Sequence, residues 1–162
     1  MKRDLMTPSA EDIESQVGFL IRRCSQIATA IFFEQTAEYD ITPQQYSALA
    51  FIKALPGIDQ TGLSARSALD RSTITGVIDR LEARKLIERR VDPQNRRARL
   101  LYPTDEGTRL FRRVQAEVAQ AQQMILAPLA VGERETFLTL IRKLVDGNNE
   151  QSRVPIRLTH LH

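Results

Sequence analysis

Apolar residues along this chain keep two different rhythms, and the places where one gives way to the other mark its organisation. From Glu11 to about Tyr39, Ile13, Val17, Leu20, Cys24, Ile27 and Ile31 recur three or four positions apart, a heptad-like seam on one long helix. Phe19, Ile21, Phe32 and Phe33 add a second apolar flank, so this helix needs two packing partners. Either both are internal, or one belongs to a second subunit. Thr42-Pro43 reads as the N-cap and first position of a next helix, which carries Tyr46, Leu49, Ala50 and Ile52 until Pro56-Gly57 breaks it. Gln60 to Leu69 predicts a short helix of small residues, followed by an Asp70-Arg71 turn. Ser72 as N-cap then opens a helix with Ile74, Val77, Ile78 and Leu81 on its buried stripe.

The spacing next becomes that of strands. Ile87 to Val91 and Ala98 to Tyr102 flank the turn Asp92-Pro93-Gln94-Asn95, a hairpin pattern. Helical spacing returns at Thr104, an N-cap followed by two acids, and Leu110, Val114, Val118, Ala121 and Ile125 stripe that helix as far as Pro128. A last amphipathic helix runs from Val131 to Val145 through Phe137, Leu138, Ile141 and Leu144. Gly147 to Ser152 reads as a flexible linker. The tail after it is expected to fray, with folding back onto the helical frame as the alternative.

A short helix, a tight turn, a polar-faced helix and a basic hairpin make a winged helix-turn-helix, so the expected fold is mainly α with a small β-hairpin wing. The face of the Ser72 helix opposite its apolar stripe holds Ser72, Thr73, Thr75, Gly76 and Arg80. Short and hydroxylated side chains let a helix backbone approach base edges in a major groove, and arginine supplies donors for guanine and phosphate. Arg66 and Arg71 are phosphate candidates. Asn95, Arg96, Arg97 and Arg99 stand on or beside the wing, where arginines enter minor grooves or clamp phosphates. Each arginine taken singly is also explained as ordinary surface charge.

The distribution of charge favours nucleic acid. The net charge is +3, made of −3 over residues 1–59, +5 over 60–100 and +1 over the rest. The excess sits on the segment proposed to read DNA. The single cysteine excludes an internal disulfide framework and fits a reducing compartment. The amino terminus has no apolar core of a signal peptide, and a cytoplasmic protein is expected. No phosphate-binding loop, dinucleotide fingerprint, metalloprotease helix or nucleophile elbow is present, so neither an enzyme nor a cofactor is expected. His160 and His162 are the only histidines, and without neighbouring ligands they make a weak metal site.

The run LSARSALDRSTITGVIDRLEARKLIERRVDPQNRRARLLYPTDEG, with ITPQQYSALAFI upstream, resembles the DNA-binding core of the MarR family of bacterial transcription regulators. The likeness covers roughly three quarters of the chain. It implies a homodimer in which residues 11–39 and 104–147 form a helical dimerisation frame, 42–103 a winged DNA-binding domain, and 148–162 a linker and tail. It implies binding to a pseudo-palindromic operator. Two departures stand out. The family usually carries Asp-x-Arg at the wing tip, where this chain reads Asn95-Arg96-Arg97, which leaves Arg97 a neutral brace. Gly76 stands where many relatives have a larger polar residue.

Many members bind small aromatic acids in a crevice between frame and winged helix. Phe19, Tyr46 and Phe51 are candidate walls here, Arg22, Arg23 and Ser25 candidate polar groups, and Tyr39 a further candidate. The implied function is a repressor released by a small aromatic carboxylate, such as a hydroxylated nicotinate or a benzoate. A thiol switch at Cys24 is the first alternative, although the peroxide-sensing branch places its cysteine where this chain has Gly18. Cys24 lies on the apolar seam, as a buried structural thiol would, and is flanked by Arg22 and Arg23, which lower a thiol pKa if they face it. A winged helix serving as a protein-interaction module is the second.

Overall fold

The computed structural model describes residues 9–156. The expected long first helix is broken. A short α1 (Ala10–Glu14) is followed by α2 (Val17–Gln35) and a 3-10 turn (Ala37–Tyr39). Side-chain hydroxyls bond the backbone at both breaks. The Ser15 hydroxyl donates to the Asp12 carbonyl at 3.1 Å before Gln16 turns extended, and the Thr36 hydroxyl donates to the Phe32 carbonyl at 2.8 Å. At the first break the Gln16 N–H turns to the Ile13 carbonyl while the Ser15 hydroxyl takes that of Asp12; at the second the Phe32 carbonyl accepts both the Thr36 N–H and its hydroxyl.

α3 (Pro43–Ala54) begins as expected, with Thr42 capping the Gln45 N–H while the Gln45 side chain accepts from the Thr42 N–H. After it come β1 (Ile58–Asp59), α4 (Gln60–Ser67), α5 (Arg71–Ala83), β2 (Ile87–Val91) and β3 (Arg99–Pro103). The hairpin thus supplies two strands of a three-stranded antiparallel sheet in the order β1-β3-β2, with Ile58 opposite Leu101 and Arg89 opposite Leu101 on the other side. α4 ends earlier than expected because Ala68 adopts a left-handed conformation. Asp70, rather than Ser72, is the N-cap of α5. Its carboxylate accepts from the Thr73 N–H and from the hydroxyls of both Ser72 and Thr73, a stronger acceptor at a helix N-terminus than the serine could offer.

One core joins these elements. Leu49 and Ile52 of α3, Leu63 of α4, Ile74, Ile78 and Leu81 of α5, and Ile87 and Leu101 of the sheet are all buried in a single cluster. Each such side chain contributes about 1.5–3 kcal/mol by leaving water. A smaller cluster of Phe32, Ile41, Val114 and Val118 packs α2 on α6 (Asp105–Leu126).

The start of α6 is fastened to the corner between α5 and β2. Thr104 caps the Gly107 N–H, and its own hydroxyl donates to the Lys85 carbonyl at 2.6 Å. Gly107 lies so close to that corner that a Cβ would fall 1.9 Å from the Leu86 oxygen. The start of α6 is therefore in direct contact with Lys85 and Leu86, just past the end of α5.

α7 (Val131–Gly147) has no buried residue. The stretch after it is better ordered than a flexible linker. Asn149 brackets the Ile156 backbone, its Oδ1 accepting from Ile156 N–H at 2.8 Å and its Nδ2 donating to the Ile156 carbonyl at 3.2 Å. Of the tail, Val154 and Pro155 are half-buried and line the groove between α4 and the wing. His160 and His162 lie outside the described residues.

Candidate nucleic-acid interface

α5 presents two faces, as its sequence requires. Ile74, Val77, Ile78 and Leu81 are buried, while Arg71, Ser72, Thr73, Thr75 and Arg80 are exposed and Gly76 is half-exposed. A Cβ on Gly76 would meet nothing within 4 Å, so no internal packing demands glycine there. The cap at the head of this helix is charged in ordinary conditions. Hydrogen bonds from the Ser72 hydroxyl, then from the Thr73 N–H and hydroxyl, hold the Asp70 carboxyl well below the usual carboxylate range.

Asn95, Arg96, Arg97 and Arg99 are all exposed at the wing. The wing turn is held by Asp92, whose Oδ1 accepts from the Gln94 N–H at 2.9 Å. Asn95 does not brace the Arg97 guanidinium; its Oδ1 accepts from the Arg97 backbone N–H at 3.2 Å. The asparagine shapes the turn and leaves the cation to reach outward. The Arg99 guanidinium instead folds back on the carbonyls of Arg96 and Ala98. Arg89 of β2 pairs with Asp79 and, at 3.3 Å, with Glu82, which fixes the wing strand to α5.

Helix and wing meet along one concave surface. A groove of about 580 Å³ is lined by Gln60 and Ser64 of α4, Arg71 and Ile74 of α5, and Asn95, Arg97 and Arg99 of the wing. Arg66 is half-buried and borders a second groove with Asp92, Asn95 and Leu100, and Arg80 opens on a third cavity beside Asp40 and Arg84. Gln60 was not anticipated from the sequence. Its amide donates at 2.6 Å to the Thr75 hydroxyl, and a glutamine at a helix start carries no pattern that would have marked it.

The effector candidates fall into separate places. Tyr46 stacks on Phe111 with ring centroids 5.3 Å apart and sits beside Phe32. Tyr39 packs with the same cluster, and its hydroxyl donates to Glu117 Oε1 at 3.1 Å under the Arg113 guanidinium. Loss of hydration, then the Glu117 hydrogen bond, push the Tyr39 hydroxyl pKa up. Glu117 Oε2 is buried with no hydrogen-bond partner among the described residues. Phe51 packs on the larger core instead. Arg22 covers the Phe19 ring at 5.0 Å, and Arg22, Arg23 and Ser25 are exposed on α2. Cys24 is exposed in the single chain rather than buried.

A MarR family model matches residues 39–98, the segment from the 3-10 turn to the wing. The repressor NicR of Pseudomonas putida is similar across nearly the whole chain, with 32% identity over 85% of this chain and 87% of that one. The chain belongs to the MarR family. It is a DNA-binding transcription regulator with a winged-helix fold. Solved MarR-family structures carry the likeness into three dimensions. PcaV from Streptomyces coelicolor, in complex with its natural ligand, is 40% identical, covering 86% of this chain and 98% of its own, with a TM-score of 0.79. Bordetella bronchiseptica BpsR, whose DNA binding is regulated by 6-hydroxynicotinic acid, is 31% identical, covering 86% and 99%, with a TM-score of 0.80. No helix among the described residues is long and apolar enough to cross a membrane.

Proposed function

We propose that the protein is a homodimeric repressor of a pseudo-palindromic operator, released by a small aromatic carboxylate such as a hydroxylated nicotinate or a benzoate. The observation that carries the DNA part is the shared surface of α5 and the wing. Arg71, Ser72, Thr73, Thr75, Gly76 and Arg80 on the helix, with Asn95, Arg96, Arg97 and Arg99 on the wing, give small groups for a major groove beside cations for phosphate and a minor groove. Arg66 joins them as a phosphate contact. The second copy is supported by α2 and α7, whose apolar residues lie open in one chain.

The effector reading rests on what NicR-like and BpsR-like relatives are and on where Tyr39 and Tyr46 lie. Both tyrosines sit where α2 and α6 meet the winged helix, and α6 is fastened to the α5–β2 corner through Thr104 and Gly107. A ligand wedged there, with Phe19, Phe51, Arg22, Arg23 and Ser25 as further contacts, changes the spacing of the two reading helices. It releases DNA to the extent that it binds the misaligned dimer more tightly than the aligned one.

Fluorescence anisotropy with DNA from upstream of the protein's own gene tests the reading. Specific binding on the order of 10 nM or tighter is expected. A panel of hydroxylated nicotinates and benzoates should include one that releases the DNA, while peroxide has no effect. Arg97→Ala should weaken binding and reduce the slope of affinity against salt by about one phosphate contact. Release by peroxide alone, abolished by Cys24→Ser, would replace the ligand reading with a thiol switch. Absence of any specific DNA binding would favour a protein-interaction module.

A further inference from the structure

The hydroxyl of Thr75 faces outward on the reading helix, yet its one proton is already committed. It donates to the Arg71 carbonyl at 2.7 Å, one turn back along α5. The oxygen can then only accept, and it accepts from Gln60 Nε2 at 2.6 Å. This fixes the orientation of the glutamine amide, because its oxygen facing Thr75 would set two acceptors against each other. Gln60 Oε1 and the second N–H of Nε2 therefore point away from Thr75, with no other hydrogen bond among the described residues, beside the groove shared with Arg71 and Arg97. An adjacent acceptor and donor in one plane is the pattern that pairs with N6 and N7 of adenine at the major-groove edge.

We propose that Gln60, on the first helix of the helix-turn-helix, is a base-reading residue of the operator interface, and that Thr75 acts as the positioning residue that holds its amide in the reading orientation. This rests on the operator-binding reading above. Thr75 keeps its methyl group for apolar contact but donates no hydrogen bond to DNA.

The test is operator binding by the full-length wild type, Gln60→Ala, Thr75→Val and the double variant, against a set of duplexes with every base in turn at each half-site position. Thermal melting checks that each variant is folded, and both positions are at the surface edge of the helices. Gln60→Ala should weaken the preferred operator about 10- to 100-fold. It should also level the preference at a single position per half-site, an A·T pair in the wild type. Thr75→Val should level the same position, and the double variant should be no worse than Gln60→Ala, since the two act as one unit. An unaltered base preference in Gln60→Ala overturns the proposal. So does equal weakening on all sequences with a lower salt slope, which is the signature of a phosphate contact. Wild-type protein that binds no DNA specifically overturns the operator reading, and the assignment of Gln60 with it.

Discussion

The winged helix and the helical frame of this protein are built from similar helices and differ in how complete they are. The winged helix closes on itself. Leu49, Ile52, Leu63, Ile74 and Leu81 are wholly buried, and α3, α4, α5 and the sheet share one core. The frame does not. Val17 is 68% exposed, Ile21 57%, Leu140 56% and Leu144 53%, and α7 buries nothing. Amphipathic sequence therefore has two meanings in one chain. In α5 the apolar stripe is satisfied within the fold, and in α2 and α7 it is an open surface, the one the proposed homodimer would cover with a second copy of the chain.

The contrast can be broken from either side. Leu81→Ala removes a side chain from the finished core and should cost about 2–5 kcal/mol in denaturant unfolding, because the surrounding helices and sheet cannot collapse into the space. Ile141→Asp combined with Leu144→Asp should leave the winged helix folded by circular dichroism while separating the copies. Operator affinity should then fall by about 100-fold or more, since each half-site would have to be bound without the help of the other.

Gly76 sharpens the comparison within the reading helix. Gly76→Ala should stabilise the protein by up to about 1 kcal/mol through helix propensity, as a methyl group there meets nothing. If the glycine serves close approach to DNA, the same change weakens operator binding. A variant more stable and equally tight would remove that role.

The smallest effect expected is at the cap. Because the folded Asp70 carboxyl titrates well below its unfolded value, its contribution is complete above about pH 4 and is lost as the pH falls toward the folded pKa. The melting temperature of Asp70→Asn should lie below that of the wild type at neutral pH, and the gap should narrow in acid. A gap independent of pH would assign the cap to shape rather than charge.

What could be read from the sequence divides along the same physical lines. Thr42-Pro43, Thr104 with its two acids, and the Ile74 to Leu81 stripe depend on neighbours within one turn, so the starts of α3 and α6 and the buried face of α5 stand as expected. β1 spans only two residues and exists because β3 comes alongside, which no local pattern shows. At the breaks by Ser15 and Thr36 the hydroxyls bond the backbone as Thr29, Thr75 and Thr136 do inside unbroken helices, so no local pattern marks them, and the competition at Asp70 and Ser72 is between two good caps side by side. At the interface, exposed arginines and hydroxyls could be named from the helix face. That Thr75 is already occupied, and that Gln60 occupies it, depends on the crossing of two helices. The meeting of Tyr39 with Arg113 and Glu117 likewise depends on which side of α6 meets α2.

The most direct test of a finished reading unit on an unfinished frame is the mass of the protein by sedimentation, alone and bound to one operator duplex. Two chains in both states are expected, with the aspartate-substituted frame sedimenting as single chains. A single wild-type chain, bound to the operator with full affinity, would contradict it.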